Sequence, residues 1–102
     1  MTLEELTGSL AALASQHRLA IIAELRGGRL HVSELARRLG MSRALLYMHA
    51  AKLEAAGFIE SSLELSVTGS SVKYMSLVDF ELTVTPALIE AAAKQQPKEE
   101  QD

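Results

Sequence analysis

Between Val32 and Lys52 the chain carries a short helical segment, a glycine turn and a longer helical segment, with almost no connecting chain. Ser33 is placed to cap the short helix, Glu34 to Leu39, and Glu34 faces the positive end of its dipole. Gly40 stops that helix, and Ser42 caps the next one at once. The second helix runs from Arg43 to Ala56 and ends at Gly57. So short a link makes the two helices cross steeply, and their contact point then admits only a small side chain. Ala36 falls at that close approach, and Gly40, four residues later, takes the tight turn. Leu35, Leu39, Met41, Leu46 and Leu53 are the expected shared core. The longer helix keeps an outer face, with Arg43, Ala44, Tyr47, Met48 and Ala51 turned away from Leu46, Ala50 and Leu53.

The flanking segments complete one small domain. Thr2 and Glu5 have the spacing of a capping box, and Leu3, Leu6, Leu10 and Leu13 follow on one helical stripe. Gly8 costs this first helix about 1 kcal/mol relative to alanine. Ser15 caps a second helix through Leu19, Ile21, Ile22 and Leu25, closed by Gly27-Gly28, and a link through Leu30 and His31 follows. Beyond Gly57 the period changes to two. Leu63, Leu65 and Val67 alternate with Glu64 and Ser66, and Thr68-Gly69-Ser70-Ser71 reads as a turn. A return strand begins at Val72, and the alternation resumes over Val78, Phe80, Leu82 and Val84, with the parity shift after Met75 predicting a bulge or a break. Thr85-Pro86 opens a last, alanine-rich helix to about Gln96. The expected organisation is a mainly α domain over 1–96 with a β-hairpin at 58–78, a helix pair at 33–56, and a disordered tail at 97–102.

Charge is distributed unevenly. Residues 26–53 hold Arg26, Arg29, Arg37, Arg38, Arg43 and Lys52 against one acid, Glu34, a net charge of +5. The rest of the chain carries −8, which gives −3 overall. An acidic body with one basic segment suits a domain that lays one face on a polyanion, and a helix pair of this kind presents the first turn of its second helix to a DNA major groove. Several other classes are excluded. The 48% apolar content is too high for a disordered chain, and no apolar run approaches a membrane span. The opening Met1-Thr2-Leu3-Glu4-Glu5 is acidic where a signal peptide is basic, so a cytoplasmic location is expected. No cysteine is present, and His17, His31 and His49 are scattered, so neither a metal nor a cofactor is expected. No nucleophile–base pair or glycine-rich phosphate loop points to an enzyme.

Three runs resemble the ArsR-type winged-helix repressors: Leu13 to Ile22, Val32 to Arg43 and His49 to Ile59. The similarity extends over roughly residues 10 to 96. It implies a winged helix-turn-helix with the 58–78 hairpin as the wing, and a homodimer paired through the terminal helices, 1–15 and 86–96. Leu3, Leu6, Leu10, Leu13, Leu88, Ile89 and Ala92 are then the dimerisation candidates. Ser42 and Arg43 match the start of the family's recognition helix, Ala44, Tyr47 and Met48 its groove-facing positions, and Lys52 a phosphate-contacting one. Ser33, Arg37 and Lys73 complete the expected DNA-binding set. His49 matches a position where the family often has histidine, and packing against the wing is its expected role, with base contact the alternative. Apolar Ala44, Leu45, Tyr47 and Met48 stand where the family commonly has Ser, Thr and Arg, and the wing turn has no arginine. Such a face also suits a protein partner, so a protein-interaction module is the alternative to a sequence-specific regulator of double-stranded DNA. Neither reading names an effector, and both leave room for one.

Overall fold

The computed structural model describes residues 1–95, and its elements run α1 (Leu3–Leu13), α2 (Gln16–Leu25), β1 (Leu30–His31), α3 (Val32–Leu39), α4 (Arg43–Ala55), β2 (Ile59–Leu65), β3 (Ser71–Leu77) and α5 (Pro86–Ala93). Gln96 and the tail expected over 97–102 lie outside the described residues. Four of the five helices begin on the predicted cap. The Thr2 hydroxyl accepts from the Glu5 amide at 3.1 Å while the Glu5 carboxylate accepts from the Thr2 amide at 2.8 Å. Ser15, Ser42 and Thr85 accept from the amides three residues ahead of each. The exception is α3. Its cap is His31, whose Nδ1 accepts from the Glu34 amide at 3.3 Å, and Ser33 sits inside the first turn. The helix starts early because β1 holds Leu30 and His31 extended against β3, and Val32 is then drawn into the core.

Helices α2, α3 and α4 meet around Ile21, Leu35, Leu46 and Leu53, all fully buried. Each such side chain contributes roughly 1.5–3 kcal/mol by leaving water. Leu39 and Met41 are half-buried at the rim of this core. Ala36 is buried at the α3–α4 crossing, and its carbonyl accepts the Met41 amide at 3.0 Å across the turn. Gly40 makes that turn in the left-handed region, at φ 62°, where a side chain would be strained.

The sheet has the order β1-β3-β2, antiparallel throughout. The link through Leu30 and His31 is thus a third strand, pairing with Met75 and Tyr74. β2 and β3 pair without a bulge from Ile59↔Leu77 to Leu65↔Ser71, and the predicted discontinuity is a break after Leu77. The Val78 amide closes the ladder on the Phe58 carbonyl at 3.0 Å. The alternation over Val78 to Val84 does not make a strand. β2 begins at Ile59, level with Leu77, so no neighbour remains for the chain to pair with. Phe80 instead packs edge-on against Phe58, with ring centroids 4.5 Å apart. Leu63, Leu65 and Val67 are 70%, 77% and 105% exposed, because the hairpin runs past the body that would cover their face.

The leucine stripe of α1 divides. Its two rows, Leu3 with Leu10 and Leu6 with Leu13, lie about 60° apart around the helix. Leu6 is buried and Leu13 half-buried within the chain, whereas Leu3 and Leu10 face out. α5 packs beside α1 and divides likewise, with Ala92 buried, Leu88 half-buried and Ile89 exposed. Leu6 and Ala92, expected at a dimer surface, are therefore buried within the chain itself. Among the described residues no helix is long and apolar enough to cross a membrane.

Candidate nucleic-acid interface

The start of α3, the first half of α4 and β3 enclose an open cleft of about 470 Å³. Ser42 caps α4 and so places Arg43 at its first helical position, beside the cleft. The Arg43 guanidinium donates to the Ser33 hydroxyl. Across the cleft, the Lys73 ammonium lies 5.0 Å from the centre of the Tyr47 ring, a cation–π contact. Neither cation pairs with a carboxylate among the described residues. Ser42, Ala44, Tyr47 and Met48 are exposed on the same helix, while Leu46, Ala50 and Leu53 point inward as their spacing predicts.

Two of the expected residues stand apart. Arg37 is paired with Glu34 at 2.6 Å, and Glu34 also accepts from Arg38 at 2.8 Å. The hydrogen bonds from Arg37 and then Arg38 hold the Glu34 carboxyl down at about 2. Lys52, further along α4, lies against α1 and lines a different groove. Arg29 pairs with Glu64, near the turn end of the β2–β3 hairpin, and sits 4.1 Å over the Tyr74 ring, where it ties the hairpin to the body. Within the basic segment, therefore, Arg29, Arg37 and Arg38 meet acids, and Arg26, Arg43 and Lys52 meet none among the described residues.

Residues 15–61, from the cap of α2 to the start of the wing, match the model of the bacterial regulatory proteins of the arsR family. The same fold occurs in solved relatives. The reduced form of HlyU from Vibrio cholerae N16961 is 31% identical, with a TM-score of 0.64 over 86% of this chain and 84% of that one. The chain belongs to the arsR family. An ArsR family transcriptional regulator is 29% identical, with a TM-score of 0.63 over 76% of this chain and 77% of that one. NolR from Sinorhizobium fredii is 25% identical, with a TM-score of 0.61 over 86% and 77%. No curated protein matches the chain significantly by sequence. As a winged helix-turn-helix protein of the arsR family it is a DNA-binding transcriptional regulator and not an enzyme. In that fold α3 and α4 stand as the helix-turn-helix pair and the β2–β3 hairpin as the wing.

The arsR-family chain also holds a buried polar tether that sequence reasoning missed. Arg18 of α2 is only 9% exposed. Its Nε donates to the Ala12 carbonyl at 2.6 Å, and its two amino groups reach the Ala11 carbonyl at 3.3 Å and His49 Nδ1 at 2.9 Å. One side chain thereby joins the end of α1 to α4. A signal was present in the sequence: Arg18, Ile21 and Leu25 share one stripe of α2, so a cation occupies an apolar row. His49 accordingly packs against Arg18, and against the His17 ring at 5.0 Å, and not against the wing as expected. The physical reason is that α2, and not the hairpin, covers the inner face of α4 at this level.

An arginine can only donate, so His49 Nδ1 accepts and the neutral ring carries its proton on Nε2. Burial, then the charges of Arg18, His17 and Lys52, push the His49 pKa down. The unfolded chain then binds more protons than the folded one below about pH 6.5. Stability is expected to be level above that pH and to fall as pH drops from 6.5 toward 5. The Glu34 contribution fades only below its ordinary carboxylate range, so the two windows are separate. Urea midpoints at pH 7 and pH 5.5 for the wild type and His49→Gln check this. The variant's midpoint is expected to stay level, and a wild-type fall that persists undiminished in the variant removes His49 as its source.

Proposed function

We propose that this chain acts in the cytoplasm as a homodimeric repressor that binds a palindromic operator. The observation that carries the reading is the convergence of Arg43 and Lys73, from recognition helix and wing, on one cleft without a carboxylate partner among the described residues. Arg43 exchanges the Ser33 hydroxyl for a base edge, where a guanidinium can bond both O6 and N7 of guanine. Ser42, Ala44, Tyr47 and Met48 present the rest of the groove-facing surface, with the apolar groups suited to thymine methyls. Lys73 and the released Ser33 hydroxyl hold phosphates on either side. Arg37 is 71% exposed at its side chain, so it can exchange Glu34 for phosphate at little cost, and Lys52 adds a further cation along α4. Exposed Leu3, Leu10 and Ile89, with half-buried Leu13 and Leu88 beside them, favour pairing of two copies through α1 and α5. Two recognition helices then reach major grooves about 34 Å apart, and occupancy of the site blocks transcription.

A second reading rests on a specific feature. Tyr47 and Met48 are exposed, and the wing shows Leu63, Leu65 and Val67 to solvent, which suits a protein partner better than phosphates. Fluorescence anisotropy with duplex DNA at two salt concentrations separates the two. DNA affinity is expected to fall steeply with salt, and Arg43→Ala is expected to weaken binding at a selected operator by roughly 5- to 150-fold. Lys73→Gln should weaken all sequences alike and reduce the salt slope by about 1. A folded protein that binds no DNA at low salt overturns the repressor reading and moves the search to a partner lost on Tyr47→Ala.

A further inference from the structure

A second groove, open and about 800 Å³ in volume, lies between α1 and the C-terminal half of α4, apart from the Arg43–Lys73 cleft. Gly8, Ala12, Ala55 and Ala56 give it a smooth, mainly apolar floor, and Arg18 and Lys52 bring two cations to it. Arg18 is buried, and each of its three side-chain nitrogens donates one hydrogen bond, all to neutral acceptors. Among the described residues no carboxylate pairs with Arg18 or with Lys52. A buried guanidinium held by neutral acceptors alone bears a desolvation cost that an anion would offset. Glu5 is the acid on the groove wall, and its carboxylate is engaged by the Thr2 amide. It lies about 10 Å along α1 from Ala12, so it repels a negative group from the far end while leaving the cationic end clear.

We propose that this groove binds a small monocarboxylate with a short hydrocarbon body. The carboxylate sits between Arg18 and Lys52, and the chain lies along Gly8, Ala12, Ala55 and Ala56. An inorganic anion would leave that apolar floor wet, and a neutral hydrocarbon would leave the two cations unmatched. The volume lies within the range of ordinary small-molecule sites. Occupancy touches the recognition helix twice, directly at Lys52 and through Arg18 at His49, so a ligand that favours one placement of α4 shifts operator affinity by the same coupling. That last consequence rests on the repressor reading, and the binding itself does not.

The test titrates octanoate into the full chain without DNA and follows amide chemical shifts. One-to-one saturation is expected, with shifts in α1 and α4, and octanol and octylamine are expected to produce none. Lys52→Gln, at an exposed position, should weaken octanoate by about tenfold. Gly8→Leu should abolish it by filling the groove, since a Cβ at Gly8 meets nothing within 4 Å and the helix gains a better helix former. Absence of saturable octanoate binding at millimolar concentration overturns the proposal, as does equal binding of octylamine or undiminished binding in Lys52→Gln. Because DNA is absent, failure here leaves the repressor reading standing.

Discussion

Arg18→Met is expected to lower the stability of the fold by about 3 kcal/mol, a large part of what a domain this small possesses. Methionine keeps the hydrocarbon stem and its packing, so the loss isolates the guanidinium. Its removal strands the Ala12 carbonyl and His49 Nδ1 in a buried setting, whereas the Ala11 carbonyl keeps the Ala14 amide at 3.3 Å. A buried acceptor left without its donor costs roughly 1–3 kcal/mol. Water from the α1–α4 groove can reach the Ala11 side, so the two buried acceptors dominate. The thermal midpoint should then drop by about 12 °C or more. A midpoint within about 2 °C of the wild type would show that the tether contributes nothing net and that its desolvation cost cancels its hydrogen bonds.

Leu46→Ala is the other large effect. Leu46 is fully buried where α4 crosses α3, with Leu35, Ile21 and Leu53 around it. Truncation removes the transfer free energy of the side chain and leaves a cavity that rigid helix backbones cannot close, for a total of roughly 2–5 kcal/mol. Ala36 sets the close approach of α3 to α4, so neighbouring side chains cannot slide in to fill the gap. Denaturant unfolding that shows a loss under about 1 kcal/mol would mean that the crossing collapses onto the void. The outward residues Tyr47 and Met48 flank Leu46 and Leu45 on the same helix, so reduced DNA affinity in this variant, measured well below its melting point, would report displaced recognition residues.

What could be read before folding was whatever depends on residues three or four apart. Thr2 with Glu5, Ser15 with Arg18, Ser42 with Leu45 and Thr85 with Leu88 are local pairs, and each cap occurs where its residue type places it. The Ala36–Gly40 turn and the inward row of Leu46, Ala50 and Leu53 are of the same kind, and from them the helix-turn-helix follows. At α3 the same rule chose Ser33, and a nonlocal force prevailed. Pairing of His31 with Tyr74 across 43 residues held the chain extended to that point, and a histidine ring took the capping role.

The site divides along the same line. Arg43, Ala44, Tyr47 and Met48 share one helix face, so their common exposure follows from spacing alone. The sequence by itself thus determined the helices, their caps, the steep α3–α4 turn, the outward face of the recognition helix and the family. Tertiary structure alone decided that Lys73 meets Tyr47 while Lys52 turns to α1, that Arg18 reaches His49, and that Leu6 and Ala92 are buried while Leu3 and Ile89 are exposed. It also decided that the alternating residues from Val78 to Val84 find no strand partner. Helical periodicity and capping are set by backbone bonds and side chains within one turn. Burial, strand pairing and the meeting of distant charges depend instead on which surfaces the packed elements leave open.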